Sequence, residues 1–227
     1  MKYFLILLSF IFLSTVSVIT IAKQKTEIPE YTVEGLKLVP NTRDIALVWA
    51  EEGADLSHYN RVYLVEPYVA FKKNWQRDQN RGTLKVKSSD MERIKTRVKA
   101  LFMEVFTEEL ESNGYTLVNE RAEDVLIVKP AIINLDVTAP DVRSAGRSST
   151  FTSQAGSMTL YLELYDSETD DLIAKALDQK ADRDSGFMKW QTGPANRAAG
   201  LRMMRPWAKA LREGLDESRS STRQDKE

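Results

Sequence analysis

Histidine is the side chain that most readily shuttles protons near neutral pH. The chain has one, His58, in the run Asp55-Leu56-Ser57-His58-Tyr59. A serine beside a histidine suggests nucleophilic catalysis. Nucleophile and base are assembled across a fold, however, and sequence neighbours seldom hold that geometry. His58 therefore reads as a turn or surface residue before a strand. A single His also excludes a histidine-based metal site.

Asp166-Ser167-Glu168-Thr169-Asp170-Asp171 places acids at the first, third and fifth positions of a calcium loop. The sixth position, where Gly makes the sharp turn, is Asp171. The twelfth, where a bidentate Glu closes the cage, is Leu177. The segment reads instead as a solvated hairpin turn. Paired carboxylates could support glycosidase-type chemistry, which needs two acids at a set separation. Asp136, Asp141, Asp178, Asp182 and Asp184 lie near predicted strand ends, but with 33 acidic residues in the chain such pairs arise by chance. The stretch from Gly146 to Gly156 lacks the Gly-Lys-Ser/Thr ending of a phosphate loop. The absence of Cys removes thiol catalysis, thiolate metal sites, disulfides and a lipid-accepting residue. No metal, no cofactor and no enzymatic activity are expected.

Charge is more informative. Between Lys72 and Lys99 there are ten basic residues against Asp78, Asp90 and Glu92. Between Glu104 and Asp124 seven acids face one basic residue, Arg121. Ordinary solvation accounts for most such runs, and the functional alternative is a basic face that meets an anionic partner. Lys72, Lys73, Trp75, Arg77 and Arg81, with Arg143 and Arg147 of a later Ser/Thr/Gly/Arg-rich stretch, form the candidate interaction surface. Trp75 stands in a polar neighbourhood, where it either anchors an interface or packs beneath its own loop.

The elements that must carry these residues follow from periodicity. Short β-rich runs cover 45–49 and 61–65, and 68–71 resumes the second after Pro67. Ser89-Asp90-Met91-Glu92 has capping-box spacing, in which the fourth residue reaches back to the first amide. Behind it Ile94, Val98, Leu101, Phe102, Val105 and Leu110 share one helical face, and Gly114 ends a helix over 90–113. The acids Glu108, Glu109 and Glu111 near its carboxyl end have the unfavourable sign for the helix dipole, so basic neighbours from elsewhere or a partner must compensate. Strands follow at 115–118 and 125–137, the latter holding Pro130, which suggests a bulge or an edge position. A hairpin joins 158–165 to 172–180, with Leu160, Leu162 and Leu164 on one face and Tyr161, Glu163 and Tyr165 on the other. A last helix over 194–217 carries Leu201, Met204, Trp207, Leu211 and Leu215, and kinks or restarts at Pro206.

At the amino terminus, Met1-Lys2 precedes the uncharged run Tyr3–Ala22, the layout of a secretory signal with a boundary at Thr20-Ile21-Ala22. An uncleaved membrane anchor is the alternative, since the run is long enough to span a bilayer. Residues 23–32 read as a polar leader, 33–217 as one domain and 218–227 as a disordered tail. The 32 basic and 33 acidic side chains nearly cancel, which argues against a nucleic-acid partner.

Several segments resemble a known family. They are Gly35-Leu36-Lys37-Leu38-Val39-Pro40, Gly53-Ala54-Asp55-Leu56-Ser57-His58-Tyr59, Val65-Glu66-Pro67-Tyr68-Val69-Ala70-Phe71 and Leu162-Glu163-Leu164-Tyr165-Asp166-Ser167-Glu168-Thr169. Together they resemble the bacterial domain of unknown function family DUF3313. The resemblance implies an exported envelope protein and supplies no catalytic residues. Family members are often lipoproteins, from which this chain departs by lacking the Cys.

The expected fold is α+β: a mixed or antiparallel sheet of about five or six strands, packed by two main helices. The expected function is a non-enzymatic periplasmic or cell-envelope module that binds a protein partner, itself an envelope protein, with membrane contact only through an uncleaved amino-terminal segment. The alternative is an envelope hydrolase or small-ligand-binding protein that uses carboxylates at strand ends.

Overall fold

A computed structural model describes residues 27–40, 42, 44–81, 85–137, 151–152, 156–182, 189–190 and 193–224. The amino-terminal run, Arg143, Arg147, Asp141 and Asp184 lie outside the described residues. The strands are β1 (Lys37–Leu38), β2 (Leu47–Ala50), β3 (Arg61–Leu64), β4 (Tyr68–Phe71), β5 (Thr116–Leu117), β6 (Val125–Val137), β7 (Phe151–Thr152), β8 (Gly156–Asp166), β9 (Leu172–Ala181) and β10 (Lys189–Trp190). The helices are α1 (Trp75–Gln79), α2 (Ser88–Ser112) and α3 (Gly193–Gln224). Eight strands form one mixed sheet in the order β1-β2-β9-β8-β6-β3-β5, with β4 also paired to β6, and β7 pairs with β10 apart from it. The class is the α+β expected, with more strands than five or six, because two-residue pairings such as β1 carry no period of their own.

Strand β6 is the spine. On one side it runs antiparallel to β8 from Leu126 to Val137. On the other it pairs in parallel first with β3, ending at Leu64 opposite Val128, and then with β4, beginning at Tyr68 opposite Ala131. Pro130 falls in the gap between these partners, where Pro67 also interrupts the neighbouring chain, so its missing N–H leaves no ladder bond unmade on that side. The irregularity expected at Pro130 lies instead at Asn134, which has φ 52° where the register shifts between Ile133 and Asp136.

Helices α2 and α3 pack on one face of the sheet. Leu160, Leu162 and Leu164 point into the core beneath them, as their alternation requires. Phe102 and Phe106, both fully buried, stack at 3.9 Å. Helix α2 begins two residues before the expected start. The carboxylate of Asp90, not Glu92, accepts from the first amide, that of Lys87, at 3.0 Å, while Glu92 pairs with Lys95. The Lys87 N–H holds the Asp90 carboxyl below the usual range, against the opposing effect of burial and with help from Arg93.

Helix α3 continues through Pro206 without a break and past residue 217 to Gln224. Arg219 accounts for part of the extension: it donates to Tyr59 O at 2.8 Å and lies 4.1 Å from the Tyr115 ring centre. The stripe of Met204, Trp207, Leu211 and Leu215 is buried as expected. At the far end of α2, Arg212 of α3 donates to Glu109 at 3.0 Å, and Arg205 and Lys209 face the same opening as Glu108. The tertiary cations that the acidic helix end requires are therefore supplied from within the chain.

The turn from β8 to β9 is held by Asp166. Its carboxylate accepts from the Glu168 and Thr169 amides at 2.8 Å each, and from the Tyr59 hydroxyl at 2.7 Å. Burial alone would raise its pKa, but the Thr169 amide, the Tyr59 hydroxyl and the Glu168 amide together hold it down to about 2. A depressed carboxyl contributes stability above its unfolded value, and that contribution is lost as pH falls through the folded value. Stability should therefore fall by about 1–2 kcal/mol between about pH 4 and pH 2, discounted for partial exposure. Asp166→Asn should flatten that part of the profile in denaturant titrations. An unchanged profile would show that the turn is not held by this charge.

Candidate functional site

Among the described residues, one end of the core holds an open space. Between α2, the first turns of α3 and the ends of β6 and β8 lies a cavity of about 530 Å³, within the size range of small-molecule sites. Helix α2 contributes Ile94, Val98 and Leu101, and the sheet contributes Leu135, Val137 and Met158. Helix α3 contributes Ala199, Gly200, Met203 and Met204. The polar groups among the lining residues include Arg97, Arg197 and Asp136.

Backbone geometry builds this space. Gly200 sits where α3 approaches α2, and a Cβ there would lie 2.6 Å from Leu101 Cδ2. Gly200 thereby lets α3 close on α2 at the wall of the cavity. On the sheet side Gly156 has φ 145°, and a Cβ would lie 2.0 Å from the Asp136 carbonyl oxygen. Only glycine permits that close approach of β8 to β6. The two methionines of α3 and Met158 add adaptable, polarisable walls.

The expected interaction surface is distributed differently. Trp75 is buried at 3% exposure, stacked on Phe71 at 4.2 Å, and donates from Nε1 to Val137 O at 3.2 Å. It cannot anchor an interface, and the packed alternative is the correct one. The reason is that α1 folds back over the end of β6, so a residue in a polar stretch still reaches the core. Lys72, Lys73, Arg77 and Arg81 are exposed. Lys72 pairs with Asp136 at 3.1 Å, and Arg77 and Arg81 both approach Asp78, at 3.5 and 3.7 Å. Further along, Lys99 pairs with Glu66. Much of the basic run is thus balanced by the protein's own acids.

The carboxylates near strand ends are likewise engaged. Asp178 accepts from Trp207 Nε1 at 2.6 Å and from Ala46 N at 3.2 Å. Asp182 accepts both 2.8 Å bonds of a bidentate pair with Arg202. His58 is exposed and rests against Tyr59 at 3.9 Å between ring centres. Ser57 is tied through its amide to Asp55. Among the described residues there is no group of three His, Asp or Glu side chains arranged to hold a metal ion, and no helix is long and apolar enough to cross a membrane.

A mixed sheet with two long helices on one face and an apolar cavity beneath them defines the structural class. The family described as "Protein of unknown function (DUF3313)" matches residues 34–209, and the chain belongs to that family. A search of curated proteins finds no match. Among solved structures, the PelC dodecamer from Paraburkholderia phytofirmans is similar at 10% identity, covering 70% of this chain and 96% of that one, with a TM-score of 0.34. A putative neuraminyllactose-binding hemagglutinin homolog from Helicobacter pylori is similar at 11% identity, covering 74% and 91%, with a TM-score of 0.37. A DUF330-family protein from Xanthomonas campestris is similar at 15% identity, covering 74% and 88%, with a TM-score of 0.37. No role or partner passes from these distant likenesses to this chain.

Proposed function

We propose that this chain is a non-enzymatic module of the bacterial cell envelope that acts by binding, and that its site is the cavity between α2, α3 and the ends of β6 and β8. The cavity itself carries the reading. Protein interiors are otherwise close-packed, and a space of this size among the described residues offers room for a ligand. The side chains suited to acid–base chemistry point the same way, because Asp178 and Asp182 are committed to Trp207 and Arg202. A small-ligand site is therefore favoured, built from apolar walls rather than from carboxylates at strand ends.

Nile red, a neutral apolar dye, is expected to bind the full chain with saturable fluorescence enhancement. Val98→Phe, at a half-buried lining position, should narrow the space and weaken that signal while leaving the fold intact. Absence of enhancement with the folded wild-type chain would rule out the cavity as a site.

Placement in the envelope is supported by the charge-then-apolar run from Met1 to Ala22. Amino-terminal sequencing of the protein from cells should begin at Lys23. An intact Met1 in the membrane fraction would favour an anchor instead.

A protein partner is a second reading, favoured by the segment beside the edge strand β1. Ile28, Tyr31, Val33 and Val39 are exposed there, Val33 completely. Exposed apolar side chains beside a sheet edge are suited to meeting another chain.

A further inference from the structure

We infer that the face of the sheet turned away from the helices is a self-association surface, on which a second copy of this chain docks about a two-fold axis running between β6 and β8. This surface is separate from the cavity. All three helices feed the core on one face of the sheet, with Trp75 of α1, Phe102 of α2 and Trp207 of α3 in one cluster with Leu160 and Leu162. The opposite face therefore has no helix over it among the described residues. Strand alternation puts Tyr161, Glu163 and Tyr165 there. Their registered neighbours extend them into rows. Tyr68, Ala131, Tyr161 and Leu177 form one row, and Lys129 stands beside Glu163 in the next. Beyond that lie Ile127 and Tyr165. Two apolar and aromatic rows thus flank a charged one, and Tyr68 is 67% exposed.

These rows are self-complementary, which selects a second copy as the occupant. A two-fold axis parallel to the strands and midway between β6 and β8 lays β6 of one copy over β8 of the other, and β4 over β9. Lys129 then faces Glu163 of the partner copy, once on each side of the axis. Ala131 meets the other copy's Tyr161, small against large, and Tyr68 meets its Leu177. Ile127 meets its Tyr165. An axis through β8 itself would set Glu163 against Glu163, so charge fixes the choice. Glu163 is held ready for a cation. The Tyr161 and Tyr165 hydroxyls donate to its two oxygens at 2.6 and 2.9 Å, while Lys175 is drawn to Glu34 at 2.6 Å and stays 3.9 Å from Glu163. Lys129 is exposed beside it, 5.6 Å from the Tyr165 ring centre. Residues 127–133 and four neighbouring strands make a face of about 23 Å by 19 Å. With side-chain relief, two copies bury on the order of 1,000 Å², the lower bound of a specific interface, so the dimer is weak and concentration-dependent.

Sedimentation equilibrium of the full chain over about 2 to 200 µM should show a monomer–dimer equilibrium, as expected of an interface of this size. Lys129→Glu sets like charges against each other on both sides of the axis and should weaken the dimer by about tenfold or more. Glu163→Lys should do the same. The two substitutions together should restore association, because they exchange the pair at both contacts, and a merely structural effect would not be rescued in this way. Tyr68→Ala, at an exposed position, should weaken the dimer with an unchanged melting temperature, and it supplies the second reading if Glu163→Lys does not fold. A monomer at every concentration would overturn the inference, and flotation of that monomer with phosphatidylglycerol vesicles would assign the face to a lipid surface instead. A dimer that folded Lys129→Glu and Tyr68→Ala leave unweakened would also overturn it, by placing the association elsewhere on the chain.

Discussion

Replacing Trp207 by Ala is expected to cost about 3–5 kcal/mol, a large share of a typical domain's total stability. The side chain is 1% exposed at the centre of the α3 stripe. Its Nε1 donates to Asp178 at 2.6 Å, and Lys180 lies 6.0 Å from its ring centre. Truncation therefore opens a void and also strips a buried carboxylate of a donor. Asp178 in turn accepts from Ala46 N beside β2, so the loss loosens the contact between α3 and two strands. Trp207→Phe separates the two effects. It keeps most of the volume and removes the donor, and should cost about 1.5–3 kcal/mol, the range for a hydrogen bond to a charged group. Urea unfolding followed by circular dichroism measures both. Equal midpoints for wild type and Trp207→Ala would contradict this packing.

Trp75→Ala is expected to cost a similar about 3–5 kcal/mol. Trp75 fixes α1 against the sheet by stacking on Phe71 and by donating to Val137 O. Val137 also lines the cavity, so the same variant should weaken Nile red binding under conditions where it remains folded. The result expected of an interface anchor is different: lost capture of a partner with an unchanged melting temperature. That outcome would return Trp75 to the surface.

These two tryptophans show what was legible in the sequence. Trp207 lies on a stripe of helical period, and period alone places it in the core. Trp75 lies among charges on a five-residue helix, too short to show a period, and its burial depends on β6 passing 62 residues later in the chain. The α2 helix was legible from its apolar face, but its start turned on which of two acids, Asp90 or Glu92, closes the first turn. Both fit the local spacing, and Asp90 is selected by burial. The place of Pro130 required knowing that β3 and β4 flank β6 in succession, a fact of topology. The hairpin around Asp166–Asp171 and the alternation of β8 are local, and both emerged as expected.

The candidate site was the least legible part. Its walls combine residues from 94 to 204, and none carries a catalytic motif. What distinguishes the site is the close approach that Gly200 and Gly156 permit. A sequence shows those residues but not what they approach. Arg97 was visible within the basic run, and its place beside α3 was not, because it depends on α3 packing on α2.

Methionine-methyl NMR of the full chain during titration with Nile red tests the central claim most directly. Met158, Met203 and Met204 line the cavity, whereas Met91 and Met103 do not. The first three methyl signals should shift saturably at a common concentration while the other two hold their positions. Unmoved signals from all three lining methionines, with the protein folded, would contradict a ligand site between these helices.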